Sequence, residues 1–318
     1  MPSEFDLIRR FFTHPTTHTL LGVGDDAALM AIAPGMELAV SSDMLVAGRH
    51  FLHDADARLL GRKCLAVNLS DMAAMGATPR WATLSLALPQ ADETWLAAFA
   101  AGFFEMAERY GVDLAGGDTT GGPLNLSVTI MGVAPAGMAL RRSGARDGDD
   151  IWVSGKLGDA ALALAHLQGR VVLSEHDALS CLSALHDPTP RVALGAALLG
   201  LAHSAIDISD GLLADLGHIL ECSGVAAELD FAALPASAAL RRLLPDETAR
   251  ACLLAGGDDY ELCFTAPAVR HGEIAAIGRR LGVPLTRIGA IRSGSGLHLR
   301  DESGKEMPIG KTGFDHFA

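Results

Sequence analysis

One pattern constrains this chain more than any other. Apolar segments end in Gly or Ser and then present aspartate. The pattern occurs in GVGDDAAL (Asp25, Asp26), AVSSDML (Asp43), VNLSDMAAMGA (Asp71), AGGDTTGG (Asp118), AIDISDGL (Asp207, Asp210) and AGGDDYEL (Asp258, Asp259). Neighbouring carboxylates in apolar surroundings are costly unless they lie on an exposed turn or meet a cation. A strand carries the chain to its end. Glycine then permits a tight turn or close approach of a phosphate, and aspartate offers oxygen ligands. Magnesium takes carboxylate oxygen, water and phosphate. Several such ends side by side would form a cradle for a metal-bound nucleotide.

The order of segments predicts how those ends are delivered. Residues 37–43 (ELAVSSD) read as a strand, 56–77 as a long helix, 81–89 as an uncharged strand and 92–110 as an amphipathic helix. Residues 111–118 read as a short strand running into a glycine turn, and 124–133 alternate as a half-buried strand does. The charged, glycine-containing stretch 141–150 (RRSGARDGDD) is the best linker candidate. The pattern then restarts: strand DIWVSG, a helix from Gly158, a helix after Pro188 and Pro190, strand SAIDIS, and a helix from Gly211. The last part mixes short strands with one helix near 273–281. A chain of 318 residues is long for one core. The expectation is an α/β (α+β) protein of two domains, divided near residue 140.

Composition narrows the function. The formal net charge is −13, which argues against general nucleic-acid binding. It would also repel an anionic substrate unless divalent metal intervenes. No apolar run is long enough to span a bilayer, and MPSEFDLIRR lacks the features of a signal peptide, so a cytoplasmic protein is expected. The five cysteines are scattered with no metal spacing and read as reduced core residues.

Each aspartate also has a plain structural reading. An Asp-Gly turn is usually only a turn. Asp210, before Gly211, suits the N-cap of its helix. Asp71 interrupts an apolar helical segment, where a solvated face competes with a ligand role. GKEMPIGKT resembles a phosphate loop but has five residues between its glycines instead of four, contains Pro308 and lacks a following helix. GVGDDAAL fails the dinucleotide fingerprint because Ala27 stands at its last position. No serine sits in a nucleophile elbow. His50 reads as structural on its own. Arg142 reads as solvated, or as a phosphate clamp if a nucleotide lies near.

The ordered set GVGDDAAL, SSDMLVAGRHF, AVNLSDMAAMGA, GGDTTGG, RRSGA, SAIDISDGL, GGDDYELCF and the terminal GFDHF resembles the thiamine-monophosphate kinases over nearly the whole chain. That family is similar in fold to aminoimidazole ribonucleotide synthetase and selenophosphate synthetase. The resemblance implies an N-terminal domain (1–138) with a mixed sheet that binds ATP and Mg2+ and dimerises. It implies a C-terminal α/β domain (139–318) closing over nucleotide and substrate. Carried over by motif, metal ligands fall on Asp26, Ser41, Ser42, Asp43, Asp71, Asp118, Asp207 and Asp210. ATP contacts fall on Gly117, Asp118, Arg142 and Ser209. Substrate contacts fall on His50, Asp258 and Phe314. The catalytic set is Asp71, Asp118, Arg142, Asp207 and Asp210. Asp25 would serve the turn beside Asp26. Relatives often have Thr at Ser42, Glu at Asp258, and Tyr or Trp at Phe314. None of these departures removes a metal ligand.

The implied reaction is ATP-dependent phosphorylation of thiamine monophosphate to thiamine diphosphate, the last step of that cofactor's synthesis, with several Mg2+ ions. The implied partners are ATP, thiamine monophosphate and a second copy of the chain. Neither nucleic acid nor membrane is among them. Whether a monovalent ion assists stays open. Three alternatives stay open with it: a sister ATP-dependent synthetase, a metal-dependent phosphatase, and a regulatory module that binds ATP and magnesium without turnover.

Overall fold

The computed structural model describes residues 3–310 and 312–314. Residues 315–317 of the terminal GFDHF motif lie outside the described residues. The chain divides into two compact units. One comprises residues 1–72 and 77–137, the other residues 73–76 and 138–318.

The first unit opens with α1 (Glu4–Phe11), capped by Ser3 and Asp6, and the short pair β1 (Thr19–Leu21) and β2 (Leu29–Met30). There follow β3 (Met36–Val46), α2 (Ala57–Ala74), β4 (Thr78–Leu88), α3 (Glu93–Tyr110), β5 (Asp113–Gly121) and β6 (Asn125–Pro135). The sheet order is β3-β6-β4-β5. β4 and β5 run parallel through the α3 crossover, while β6 inserts antiparallel between β3 and β4. Asp92 starts α3 by accepting from the N–H groups of Thr94 and Trp95, and Gly111 ends it in the left-handed conformation.

Alternation sets the two faces of this sheet. On β6, Leu126, Val128 and Ile130 are buried, while Ser127, Thr129 and Met131 are half-buried. α2 is buried on nearly every side from Leu60 to Ser70, with Lys63, Asn68 and Ser70 buried among its apolar residues. Its Met72 lies where a Cβ on Gly132 of β6 would reach, 2.8 Å from the sulfur. α2 and α3 meet through glycine: a Cβ at Gly61 would lie 2.1 Å from the Phe99 carbonyl oxygen, and one at Gly102 would lie 1.9 Å from that of Arg58. Only glycine permits that approach.

The second unit comprises β7 (Asp149–Ser154), α4 (Asp159–Leu167), α5 (Glu175–His186), α6 (Val192–Leu198), β8 (Ser204–Asp207), α7 (Leu212–Ser223) and β9 (Ala226–Asp230). It continues with α8 (Ala238–Leu243), α9 (Glu247–Ala255), β10 (Leu262–Pro267), α10 (His271–Leu281), β11 (Leu285–Arg292), β12 (Gly296–Arg300) and β13 (Glu306–Met307). The seven-stranded mixed sheet has the order β13-β12-β9-β11-β7-β10-β8. One core cluster joins Leu157, Leu162, Ile206, Leu216, Leu240 and Leu253; another gathers Trp152, Phe264, Leu194 and Ile274.

The 141–150 stretch is not a loose linker. Arg141 accepts at its carbonyl from Ala205, and Gly144 and Ala145 donate to the Ser223 hydroxyl. Asp147 accepts from Ser293. Its charged residues are tied into the second unit. Among the described residues, no helix is long and apolar enough to cross a membrane.

Gly102→Ala is expected to destabilise the first unit by about 3 kcal/mol, because the new methyl meets backbone that cannot yield. Urea unfolding followed by tryptophan fluorescence measures it. An unchanged midpoint would mean that α2 and α3 do not meet at this glycine.

Candidate active site

In the first unit, the acidic pair of GVGDDAAL lies on an exposed turn. The Asp25 carboxylate accepts from the Asp26 N–H at 2.9 Å, and Gly24 bends the chain at a φ of 119°. Asp25 therefore stabilises the turn and Asp26 is presented by it.

β3 sends its site residues to opposite faces. Ser41 and Asp43 pair in register with Ile130 and Val128, on the buried face. There the Ser41 hydroxyl donates to Asp71 Oδ2 on α2 at 2.5 Å. Asp71 is thus held in a half-buried position on a helix with no solvated face at that level. The solvated-face reading of Asp71 fails for that reason. Ser42 lies on the other face, where its hydroxyl bonds Thr129 Oγ1 at 2.9 Å and the Val128 carbonyl at 3.2 Å. Asp118 is on that face too, because register aligns Met44, Ser127, Ser85 and Asp118 across the four strands. So the structure brings Ser41, Asp43 and Asp71 to one face, and Ser42 and Asp118 to the other.

Gly117, before Asp118, has a φ of 152°, and a Cβ there would lie 1.8 Å from the Leu84 carbonyl oxygen. His50 closes the turn after β3, its Nδ1 accepting from the Val46 N–H at 3.0 Å. That bond fixes the neutral ring as the Nε2–H tautomer.

In the second unit, the loop 209–211 between β8 and α7 joins three of the motifs. Asp207 ends β8, buried opposite Leu262 of β10. The Ser209 carbonyl accepts from the Asp258 N–H at 2.9 Å, and the Asp210 carbonyl accepts from the Phe314 N–H at 3.0 Å. The Thr312 carbonyl in turn accepts from Ala214 at 3.0 Å. Ser209, Asp210, Asp258 and Phe314 are therefore assembled by backbone hydrogen bonds. Asp210 does not cap α7. Gly211 occupies that position with no side-chain cap, and a Cβ there would lie 2.6 Å from the backbone of Ala255. Arg142 is exposed, and its carbonyl accepts from Ser223.

The GGDDYEL loop is anchored by its other acids. The Asp259 carboxylate accepts the Gly158 N–H at the start of α4, at 2.9 and 3.0 Å. Burial holds its pKa well above the usual range, against the pull of that N–H, and Glu261, Asp159 and Asp258 push it the same way as burial. Glu261 accepts from Ser154 and from Arg191. Asp258 and Tyr260 both have positive φ, at 69° and 49°, and the Tyr260 hydroxyl donates to Asp258 Oδ1 at 2.9 Å. Strain at non-glycine residues persists only where neighbours enforce it.

Sequence reasoning missed Tyr260 and Asp215. Asp215, buried in α7, accepts at Oδ2 from the N–H groups of Ser209, Asp210 and Gly211 at 3.0, 3.1 and 3.1 Å. Its signal was an aspartate inside the run LLADL, a charge that an apolar helix face does not carry without a partner.

Among the described residues, no group of three or more His, Cys, Asp or Glu side chains stands where it could hold a metal ion. The donors at hand are carboxylate and hydroxyl oxygen. That chemistry fits magnesium, which takes few protein ligands and fills its shell with water and phosphate.

The N-terminal-domain model of AIR synthase related proteins matches residues 24–134. A thiamine-monophosphate kinase of Salmonella typhimurium is 48% identical over 321 residues, covering 99% of this chain and 98% of its own. The crystal structure of thiamine-monophosphate kinase from Stenotrophomonas maltophilia matches with a TM-score of 0.85 at 51% identity, covering 91% of this chain and 92% of the other. AaThiL complexed with AMPPCP and TMP matches with a TM-score of 0.77 at 30% identity, covering 92% and 91%. The chain belongs to the thiamine-monophosphate kinase family.

Burial raises the Asp215 carboxyl to about 6, assisted by the nearby Asp210 charge and opposed by the three N–H donors. A carboxyl that holds its proton more tightly when folded adds stability below about pH 4, and that contribution is lost as pH rises through about 6. Asp215→Asn is therefore expected to flatten the dependence of Tm on pH between those values. A parallel curve for parent and variant would show that Asp215 does not titrate there.

Proposed function

We propose that this chain transfers the γ-phosphoryl group of ATP to thiamine monophosphate, releasing ADP and thiamine diphosphate. The observation that carries the reading is full-length likeness to thiamine-monophosphate kinases, together with a homologous structure holding AMPPCP and TMP. A terminal oxygen of the monophosphate attacks the γ-phosphorus in line, and ADP leaves. The second pKa of a phosphate monoester is about 6, so the nucleophile is largely ionised near neutral pH and needs no strong base.

The chain's work is positioning and charge neutralisation. Arg142 presents a planar guanidinium suited to a bidentate grip on phosphate. Gly117, whose missing Cβ lets β5 approach Leu84 of β4, meets the nucleotide through its main chain. Ser209 adds a hydroxyl on the loop that carries Asp210. Asp26, Ser41, Asp43, Asp71, Asp118, Asp207 and Asp210 supply oxygen for Mg2+. Ser42 completes that set; it and Asp118 offer their oxygens from the opposite face of the sheet to Ser41, Asp43 and Asp71. Bound Mg2+ supplies neutralisation of the phosphate charge. Asp258, oriented by Tyr260, meets the cationic thiazolium; Phe314 packs on a ring of the substrate and His50 contacts it through Nε2. We place the reaction in the cytoplasm, in keeping with five unpaired cysteines.

We also propose a homodimer formed through the first unit. Leu38, Val40 and Met44 share the open face of β3 and are 45%, 56% and 54% exposed. An apolar face on an edge strand invites a second copy. Val40→Asp is expected to convert a dimer to a monomer in sedimentation velocity. A parent chain that sediments as a monomer would rule the dimer out.

Turnover is tested by mixing the protein with ATP, magnesium and thiamine monophosphate, then oxidising and separating the thiochrome products. Thiamine diphosphate should appear in step with ADP. ADP without it would shift the assignment to another ATP-user, and phosphate release without ATP would indicate a phosphatase. Asp71→Asn should lower turnover by about 100-fold or more, the scale on which charge-stabilising groups act. Its Tm should stay close to that of the parent. Near-normal rates at saturating magnesium would remove Asp71 from the metal set.

A further inference from the structure

Asp215 stands outside every motif assigned above. Its carboxylate is buried inside the first turns of α7, and a single oxygen, Oδ2, gathers three consecutive N–H groups from residues 209, 210 and 211. No cation is paired with it among the described ion pairs, so these N–H groups supply its compensation. The same three residues face outward to different tasks. Ser209 and Asp210 carry the nucleotide and metal roles, and their carbonyls hold Asp258 and Phe314. Gly211 has a φ of 124° and no room for a side chain, so the loop relies on its backbone partners.

We infer that Asp215 is the positioning residue of the 209–211 loop, fixing through one carboxylate oxygen the side chains that meet the nucleotide and the backbone carbonyls that hold the substrate-side residues. This rests on the phosphotransfer reading for its kinetic part and not for its structural part. Three N–H bonds converging on one acceptor leave the loop a single backbone path, so Ser209 and Asp210 cannot drift independently. Without the acceptor, three donors lose their partner together. An amide oxygen at the same place accepts the same bonds, so the device depends on an acceptor at that point and not on a charge.

Hydrogen exchange of the full chain tests the structural part. In the parent, the amides of Ser209, Asp210 and Gly211 should exchange as slowly as those of β8. Fast exchange there in the parent overturns the inference, whatever any variant does. In Asp215→Ala these three amides should exchange about tenfold faster or more, a factor equivalent to about 1.4 kcal/mol, while Asp215→Asn keeps them slow. Unchanged exchange in Asp215→Ala also overturns it. Kinetics test the functional part. Asp215→Ala should raise KM for both MgATP and thiamine monophosphate, and Asp215→Asn should restore both. A folded Asp215→Ala with parental constants, or a folded Asp215→Asn as impaired as the Ala variant, overturns the positioning role. Absence of turnover in the parent would instead overturn the phosphotransfer reading, and the exchange data would still decide the role of Asp215.

Discussion

The architecture depends on donation of backbone N–H groups to buried carboxylates. Asp113 takes the N–H groups of Thr17, His18 and Thr19 and the Thr19 hydroxyl, fastening the N-terminal segment to β5. Burial pushes its pKa up, but those bonds outweigh it and hold it below the usual value. Asp259 takes the N–H of Gly158, the residue before α4, and Asp215 takes three from the loop before α7. In an acidic chain, this solution uses no cations. It leaves arginine for other duties, such as Arg191 on Glu261. It also divides the aspartates into two kinds. Some are consumed by the backbone, and others, such as Asp26 on its turn, are presented by it.

That division was only partly legible in the sequence. The alternation of β6, the amphipathic helix beginning near Asp92, and the helix carrying Asp71 could be read from residue pattern, because each is a local signal. The short helices α5 and α9 were passed over, although Ser174 and Asp246 cap them in the usual way. By residue pattern alone Asp258 and Asp259 look alike, and only the family resemblance set Asp258 apart as a substrate contact. What separates them is depth and a partner a hundred residues upstream, Gly158, which no local pattern encodes.

The two faces of the first sheet show the same limit. Ser41, Ser42 and Asp43 are adjacent, and a period of two already sends Ser42 away from its neighbours. The face of Asp118 is harder to read. It follows from pairing with β4 beyond an irregularity between Ala82 and Thr83, and one residue of slip would reverse it. Register is a property of two strands together, so the motif AGGDTT could not state which way its aspartate points.

The backbone bonds of residues 312 and 314 have a consequence for synthesis. Thr312 and Phe314 complete the loop at 209–211 by bonding Ala214 and Asp210, yet they follow every other site-bearing segment in the chain. As the polypeptide leaves the ribosome, β8 and α7 emerge and can pack while that loop still lacks its last partners. The Asp210 carbonyl gains its Phe314 partner only after the segment that bears Phe314 has emerged. A chain stalled before that point would lack the bonds that residues 312 and 314 make to Ala214 and Asp210.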